Sequence, residues 1–171
     1  MYVEHYQGAG PSHRSAGRVV PFHEGMHTGL CWTRCPGGEP GWAPLLAGMG
    51  GDVYVVDWPG VGRSGYQANF TTMGAVPITD AVEELVGSLG PCALIGHSIG
   101  AVISLKVAER RPGVVPAVVA AMPAPVGNIS DRAPVVDEGV PIFLTKEVVV
   151  SRRASAFRGR ALASTLLHWC H

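Results

Sequence analysis

Two patterns alternate along this chain and leave few folds open to it. Residues 52–56, Asp-Val-Tyr-Val-Val, form a β-branched run bounded by Gly50 and Gly51 on one side and Trp58-Pro59-Gly60 on the other. Residues 78–89 then place apolar side chains at Ile78, Val82, Leu85, Val86 and Leu89, the spacing of a helix face. Thr79 or Asp80 suits its start and Gly90-Pro91 its stop. A second cycle follows: an apolar run at 92–95, a helical segment at 99–111 halted by Pro112-Gly113, and a β-branched run at 114–121 interrupted by Pro116. Strands separated by helices of about a dozen residues make βαβ units. The sheet they build is parallel and buried on both faces. Residues 1–6 read as an edge strand and 18–22 as a short further strand. Gly, Pro and Cys mark 23–41 as a long loop, and 42–49 as a short helix packed through Leu45 and Leu46.

The 171 residues are enough for one domain with a sizeable core. Apolar residues make up 47% and charged residues 15%, a balance that excludes intrinsic disorder. Thirteen basic side chains match thirteen acidic ones, so no global field attracts nucleic acid. The balance is uneven along the chain, because Glu147 is the last acidic residue. Residues 1–147 read as the core, with a net charge of −4, and residues 148–171 as a basic tail that carries +4 on Arg152, Arg153, Arg158 and Arg160. The richest apolar stretch, 114–126, is broken by Pro116, Pro123 and Pro125 and is too short to span a bilayer. Glu4, His5 and Tyr6 deny the N-terminus the apolar stretch of an export signal, so a cytoplasmic protein is expected. Cys31, Cys35, Cys92 and Cys170 are too few for a disulfide scaffold and suit reduced thiols.

The motif that carries chemistry is Gly96-His97-Ser98-Ile99-Gly100. G-x-S-x-G is weak alone, but here a strand precedes it and a helix follows, the setting of a nucleophile elbow. In so tight a turn the residues two before and two after the serine must be small, which Gly96 and Gly100 are. The serine then sits at a strand's carboxyl end and a helix's N-terminus, where negative charge is favoured. The competing expectation is an ordinary turn in which Ser98 caps the helix.

With two further segments, the motif resembles the α/β-hydrolase superfamily, on the side of its esterases and lipases. His23-Glu24-Gly25-Met26-His27-Thr28-Gly29 is similar to the family's H-G-G-G-type oxyanion loop, and Asp57-Trp58-Pro59-Gly60-Val61-Gly62-Arg63-Ser64 to its D-x-P-G-x-G-x-S segment. The fold class expected is therefore α/β: a parallel-sheet, α/β-hydrolase-like three-layer sandwich, incomplete by about 100 residues against a full domain of the class. The resemblance implies Ser98 as nucleophile and the N–H groups of Gly25 and Ile99 as oxyanion hole. It implies a small-molecule carboxylic ester as substrate, hydrolysed through an acyl-enzyme, with no cofactor and no metal. Glu24 stands where the family has Gly; a positive φ there would strain it, and its carboxylate would oppose an oxyanion. The resemblance makes Asp57 structural and sets Trp58 and Arg63 at the pocket mouth.

A serine needs a positioned imidazole and an acid to orient it, in the order Ser, acid, His. Some hydrolases resembling this chain have Glu at about position 122, where this one has Met122. Asp131, Asp137, Glu138 and Glu147 remain as acids, and His168 and His171 as bases. His97 is adjacent to Ser98 and points away from it. The residues His23, His27, Cys31 and Cys35 recur every four positions and are metal-ligand types, but Gly25, Gly29 and Pro36 break the helix that would align them. Two functions follow: a serine ester hydrolase, or a non-catalytic hydrolase-like module that binds a small molecule or a partner. An incomplete sheet also offers an exposed edge for a homo-oligomer.

Overall fold

The computed structural model describes residues 1–9, 17–65 and 73–123. The chain divides into two compact units, Met1–Ile129 and Ser130–His171. All described residues belong to the first, and the expected boundary between 147 and 148 lies outside them.

Five strands and four α-helices follow the expected alternation. They are β1 (Tyr2–Tyr6), β2 (Arg18–Phe22), α1 (Leu30–Thr33), α2 (Trp42–Gly48), β3 (Asp52–Asp57), α3 (Ala75–Leu89), β4 (Cys92–His97), α4 (Ile99–Arg110) and β5 (Val118–Ala121). The sheet order is β1-β3-β2-β4-β5. The β3–β2, β2–β4 and β4–β5 pairs are parallel, and β1 alone runs antiparallel, on β3. This mostly parallel open sheet with helices is the expected α/β class.

Both faces of the sheet are covered, as the β-branched runs require. In β3, Val53 and Val55 face Ala43 and Ala47 of α2, while Val56 joins Val20, Phe22 and Leu94 against Val82, Val86, Ile103 and Val107 of α3 and α4. Each fully buried valine contributes about 1.5–3 kcal/mol.

Four expectations change. Helix α2 packs through the small Ala43 and Ala47, whereas Leu45 is 55% exposed and Leu46 only partly buried. Small residues four apart bring the helix close to β3. Helix α3 starts at Ala75 behind Gly74, three residues earlier than Ile78. Pro77 falls in the first turn, where its missing N–H costs nothing, and the Thr79 hydroxyl donates to the Ala75 carbonyl at 2.7 Å instead of capping. Strand β5 begins only at Val118, past Pro116, which cannot donate to the ladder. The segment read as loop contains the one-turn helix α1.

Candidate functional site

The carboxyl ends of β2, β3 and β4 each lead into a segment expected to matter. After β3, Asp57 is fully buried and its carboxylate is saturated with donors. Its Oδ1 accepts the Gly29 N–H at 2.6 Å, and its Oδ2 accepts the Arg63 N–H at 2.8 Å and the Arg63 Nε–H at 2.9 Å. Burial alone would raise the Asp57 carboxyl, but the Arg63 side chain, the Arg63 N–H and the Gly29 N–H outweigh it and hold it below the ordinary carboxylate value. Gly62 is required twice over, by φ +53° and because a Cβ would lie 2.6 Å from Asp57 Oδ2. Asp57 thus ties the loop after β2 to the loop after β3. Arg63, an exposed residue, pairs with Asp57 and Glu4 and lies 4.2 Å over the Tyr2 ring. Trp58, by contrast, lies in the core rather than at a pocket mouth: it is 4% exposed, with its ring stacked on His23 at 4.3 Å.

After β2 the chain turns at His23, which is completely buried. Its Nδ1 lies 2.6 Å from the Glu24 carbonyl, so that nitrogen carries the proton and donates. Burial lowers its pKa; the Glu24 carbonyl and the Asp57 charge oppose that without reversing it. His23 is therefore a neutral packing residue. Glu24 has no positive φ, so the strain that a family glycine position implied does not arise. Its carboxylate faces two imidazoles, His27 Nδ1 at 3.0 Å and His97 Nδ1 at 3.6 Å. Gly25 comes against the start of α4: a Cβ on it would sit 3.6 Å from Ile99 Cγ2. The two segments expected to supply oxyanion donors are thus neighbours. Ile99 opens α4, so its N–H belongs to the first turn, which no helical carbonyl satisfies.

The turn after β4 is as tight as its glycines suggest. A Cβ on Gly96 would lie 2.4 Å from the Gly100 carbonyl oxygen, and one on Gly100 2.5 Å from that of His23. Ser98 between them has φ 55° and ψ −117°, one of two non-glycine residues with positive φ among the described residues. Such a conformation costs about 1–3 kcal/mol and persists only where its surroundings enforce it. Here the Ser98 N–H donates to the Ala121 carbonyl of β5 at 3.0 Å, and the Ser98 carbonyl accepts from Ala101 and Val102. Ser98 occupies the N-cap position of α4, yet its hydroxyl makes no capping hydrogen bond. It is half-buried and stands at the carboxyl edge of the sheet over a helix N-terminus.

The expected partners of Ser98 are not among these residues. Met122, beside Ala121, is 75% exposed, with φ 45°, and a thioether cannot orient an imidazole. Asp131, Asp137, Glu138, Glu147, His168 and His171 lie outside the described residues. His5 stacks on Tyr54 and faces Asp52 at 3.4 Å. Among the described residues, no three His, Cys, Asp or Glu side chains converge as a metal site. The four-residue recurrence does not bring His23, His27, Cys31 and Cys35 together as ligands. Cys31 is an exposed residue, yet partial burial of its thiol, then the charges of Glu24 and Asp57, push the thiol upward, so it stays protonated. What sequence reasoning missed is the Glu24 bridge to His27 and His97. The i, i+3 spacing hinted at its His27 half, but nothing local signals the His97 half.

A model of the alpha/beta hydrolase family matches residues 16–169. The chain belongs to that family. Among solved structures, it resembles a thioesterase domain from the curacin biosynthetic pathway (25% identity, 68% of this chain and 39% of that one, TM-score 0.56). It also resembles a monoacylglycerol lipase of Paleococcus ferrophilus (24%, 92% and 51%, TM-score 0.56) and a polyneuridine aldehyde esterase (20%, 63% and 40%, TM-score 0.52). A search of curated proteins finds no match. This hydrolase-family chain spans 39–51% of the length of these three solved relatives. Among the described residues, no helix is long and apolar enough to cross a membrane.

Proposed function

We propose that this chain carries the acyl-transfer centre of a serine hydrolase acting on carboxylic esters of small molecules. Ser98 Oγ gives its proton to a base and attacks the ester carbonyl, the C–O bond to the alcohol breaks as that proton passes to the leaving oxygen, and the acyl group stays on Ser98 until water releases it as a carboxylic acid and returns the proton to Oγ. The Gly25 and Ile99 N–H groups hold the oxygen that becomes negative, and each such donor is worth about 2.7–4 kcal/mol. The observation that carries the reading is the serine's conformation. A hydroxyl at a helix N-cap would ordinarily satisfy the helix, whereas Ser98 is twisted to a positive φ and makes no capping bond. The thioesterase domain that the chain resembles at 25% identity carries a name of acyl hydrolysis, which supports this reading. Cys31 and Cys92 are thiols, which suits a reducing cytoplasm. Glu147 and His168, outside the described residues, are the candidates from sequence for the acid and the base.

A fluorophosphonate should label Ser98, and Ser98→Ala should abolish both labelling and any release of p-nitrophenol from its acetate. A folded wild type that resists labelling sinks the reading. A second reading, a hydrolase-like binding module, is favoured by Met122 beside the elbow and by the Glu24 carboxylate next to Gly25. In that case the short, apolar β5 would be a pairing edge, and association would rise with concentration in sedimentation.

A further inference from the structure

The loop after β2 and the turn after β4 are separate in sequence, and each is expected to supply one oxyanion donor. Where the two segments meet, the structure places a carboxylate that no family motif calls for. Glu24 is held mostly out of solvent, its side chain 14% exposed. One carboxylate oxygen faces His27 Nδ1 at 3.0 Å, and the other faces His97 Nδ1 at 3.6 Å. His27 belongs to the same loop, whose turn closes through the His27 N–H donating to the Glu24 carbonyl at 3.3 Å. His97 is the last residue of β4, immediately before Ser98. The two oxygens of one rigid group thus reach both segments. Gly25, next to Glu24, packs on Ile99, next to Ser98, so the bridge and the donor pair lie side by side.

We propose that Glu24 is a positioning residue, the joint that pins the oxyanion loop to the nucleophile turn through His27 and His97. The inference rests on the serine-hydrolase reading for its catalytic consequence, though not for the joint itself. The two Gly25 and Ile99 donors act on one oxygen only if their segments keep a fixed separation, and a displacement of about 1 Å costs up to a hundredfold in rate. The other charged groups nearby are engaged elsewhere: Asp57 takes the Gly29 and Arg63 donors, and Arg63 also holds Glu4. The two histidines explain how a carboxylate is tolerated beside an oxyanion site: one oxygen lies at hydrogen-bond distance from His27 Nδ1, and the other is in a longer polar contact, 3.6 Å, with His97 Nδ1.

The contact has a spectroscopic signature that mere packing lacks. A neutral imidazole whose Nδ1 faces a carboxylate must carry its proton on that nitrogen. Long-range ¹⁵N–¹H spectra of the full chain, recorded above the ordinary imidazole range, should therefore show His27 as the Nδ1–H tautomer. In Glu24→Leu, which has no acceptor, that tautomer should be lost, the His97 ring resonances should move, and amide exchange across 25–28 should quicken. Fluorophosphonate labelling of Ser98 should slow about tenfold in Glu24→Leu, largely in the chemical step. Glu24→Asp, one methylene short of His97, should restore the His27 tautomer without restoring the rate. If wild-type His27 carries its proton on Nε2, the joint is refuted without any variant. If the spectra change but wild type and Glu24→Leu label equally fast, the positioning role alone is lost. A wild type that never labels removes the hydrolase reading and with it the catalytic consequence.

Discussion

The loops after β3 and β4 leave the same edge of the same sheet and solve opposite problems. At Asp57 the polar groups meet partners: both carboxylate oxygens accept, the carbonyl takes the Ser64 hydroxyl, and a positive φ falls on a glycine, Gly62. At Ser98 the positive φ falls on a residue with a Cβ, and the hydroxyl leaves the helix end uncapped. The first loop is arranged for stability. The second holds strain that neighbouring backbone must enforce. Function is to be sought where local preferences are overridden, because a relaxed and fully bonded group has nothing left to offer a substrate.

The contrast can be broken at its steric base. Gly100→Ala puts a methyl 2.5 Å from the His23 carbonyl oxygen and 2.7 Å from that of Phe22, both backbone atoms that cannot yield without moving β2. A loss of about 4 kcal/mol or more is expected, read as little soluble protein or a thermal midpoint lowered by more than about 8 °C. An unchanged midpoint would mean that the turn is looser than described.

Asp57→Asn comes next. It removes the charge of a buried carboxylate that accepts from Gly29 and from the exposed Arg63, and about 2 kcal/mol should be lost in urea denaturation. The pH dependence has a definite sign. The Asp57 carboxyl is lower in the folded state than its ordinary value, so its contribution is fully present above the ordinary carboxylate range and disappears as pH falls through the folded value. Wild-type stability should therefore decline on acidification below about pH 4 more steeply than that of Asp57→Asn. Parallel curves for the two proteins would show that the network does not set acid stability.

The smallest effect sharpens the comparison most. Ser98→Gly relieves the positive φ and should raise stability by about 1 kcal/mol while removing the nucleophile. A glycine variant less stable than wild type would show that the serine side chain contributes more than its backbone conformation costs. Stability and the site would then not be opposed at this turn.

Legibility in the sequence followed the range of the interaction. The elbow was readable because its demands are local: small residues two positions either side of Ser98, a strand before and a helix after. Periodicity found β3, α3, β4 and α4, but not the true start of α3, because Pro77 in a first turn resembles a boundary. It put Leu45 inside on apolarity alone, whereas the close approach of α2 to β3 admits only Ala43 and Ala47. Trp58 was misplaced because its stack on His23 has no sequence signature, and the reach of Arg63 to Glu4 has none either.

By itself, the sequence determined the alternating α/β class, the burial of the sheet on both faces and the one turn able to present a serine. Each of these depends on residues within a few positions of one another. Only the tertiary structure decided that Ser98 is twisted away from its capping role, that Glu24 meets His97, and that Asp57 joins two loops. Those outcomes depend on distances between segments, which the packing of β2, β3 and β4 sets and no local pattern encodes.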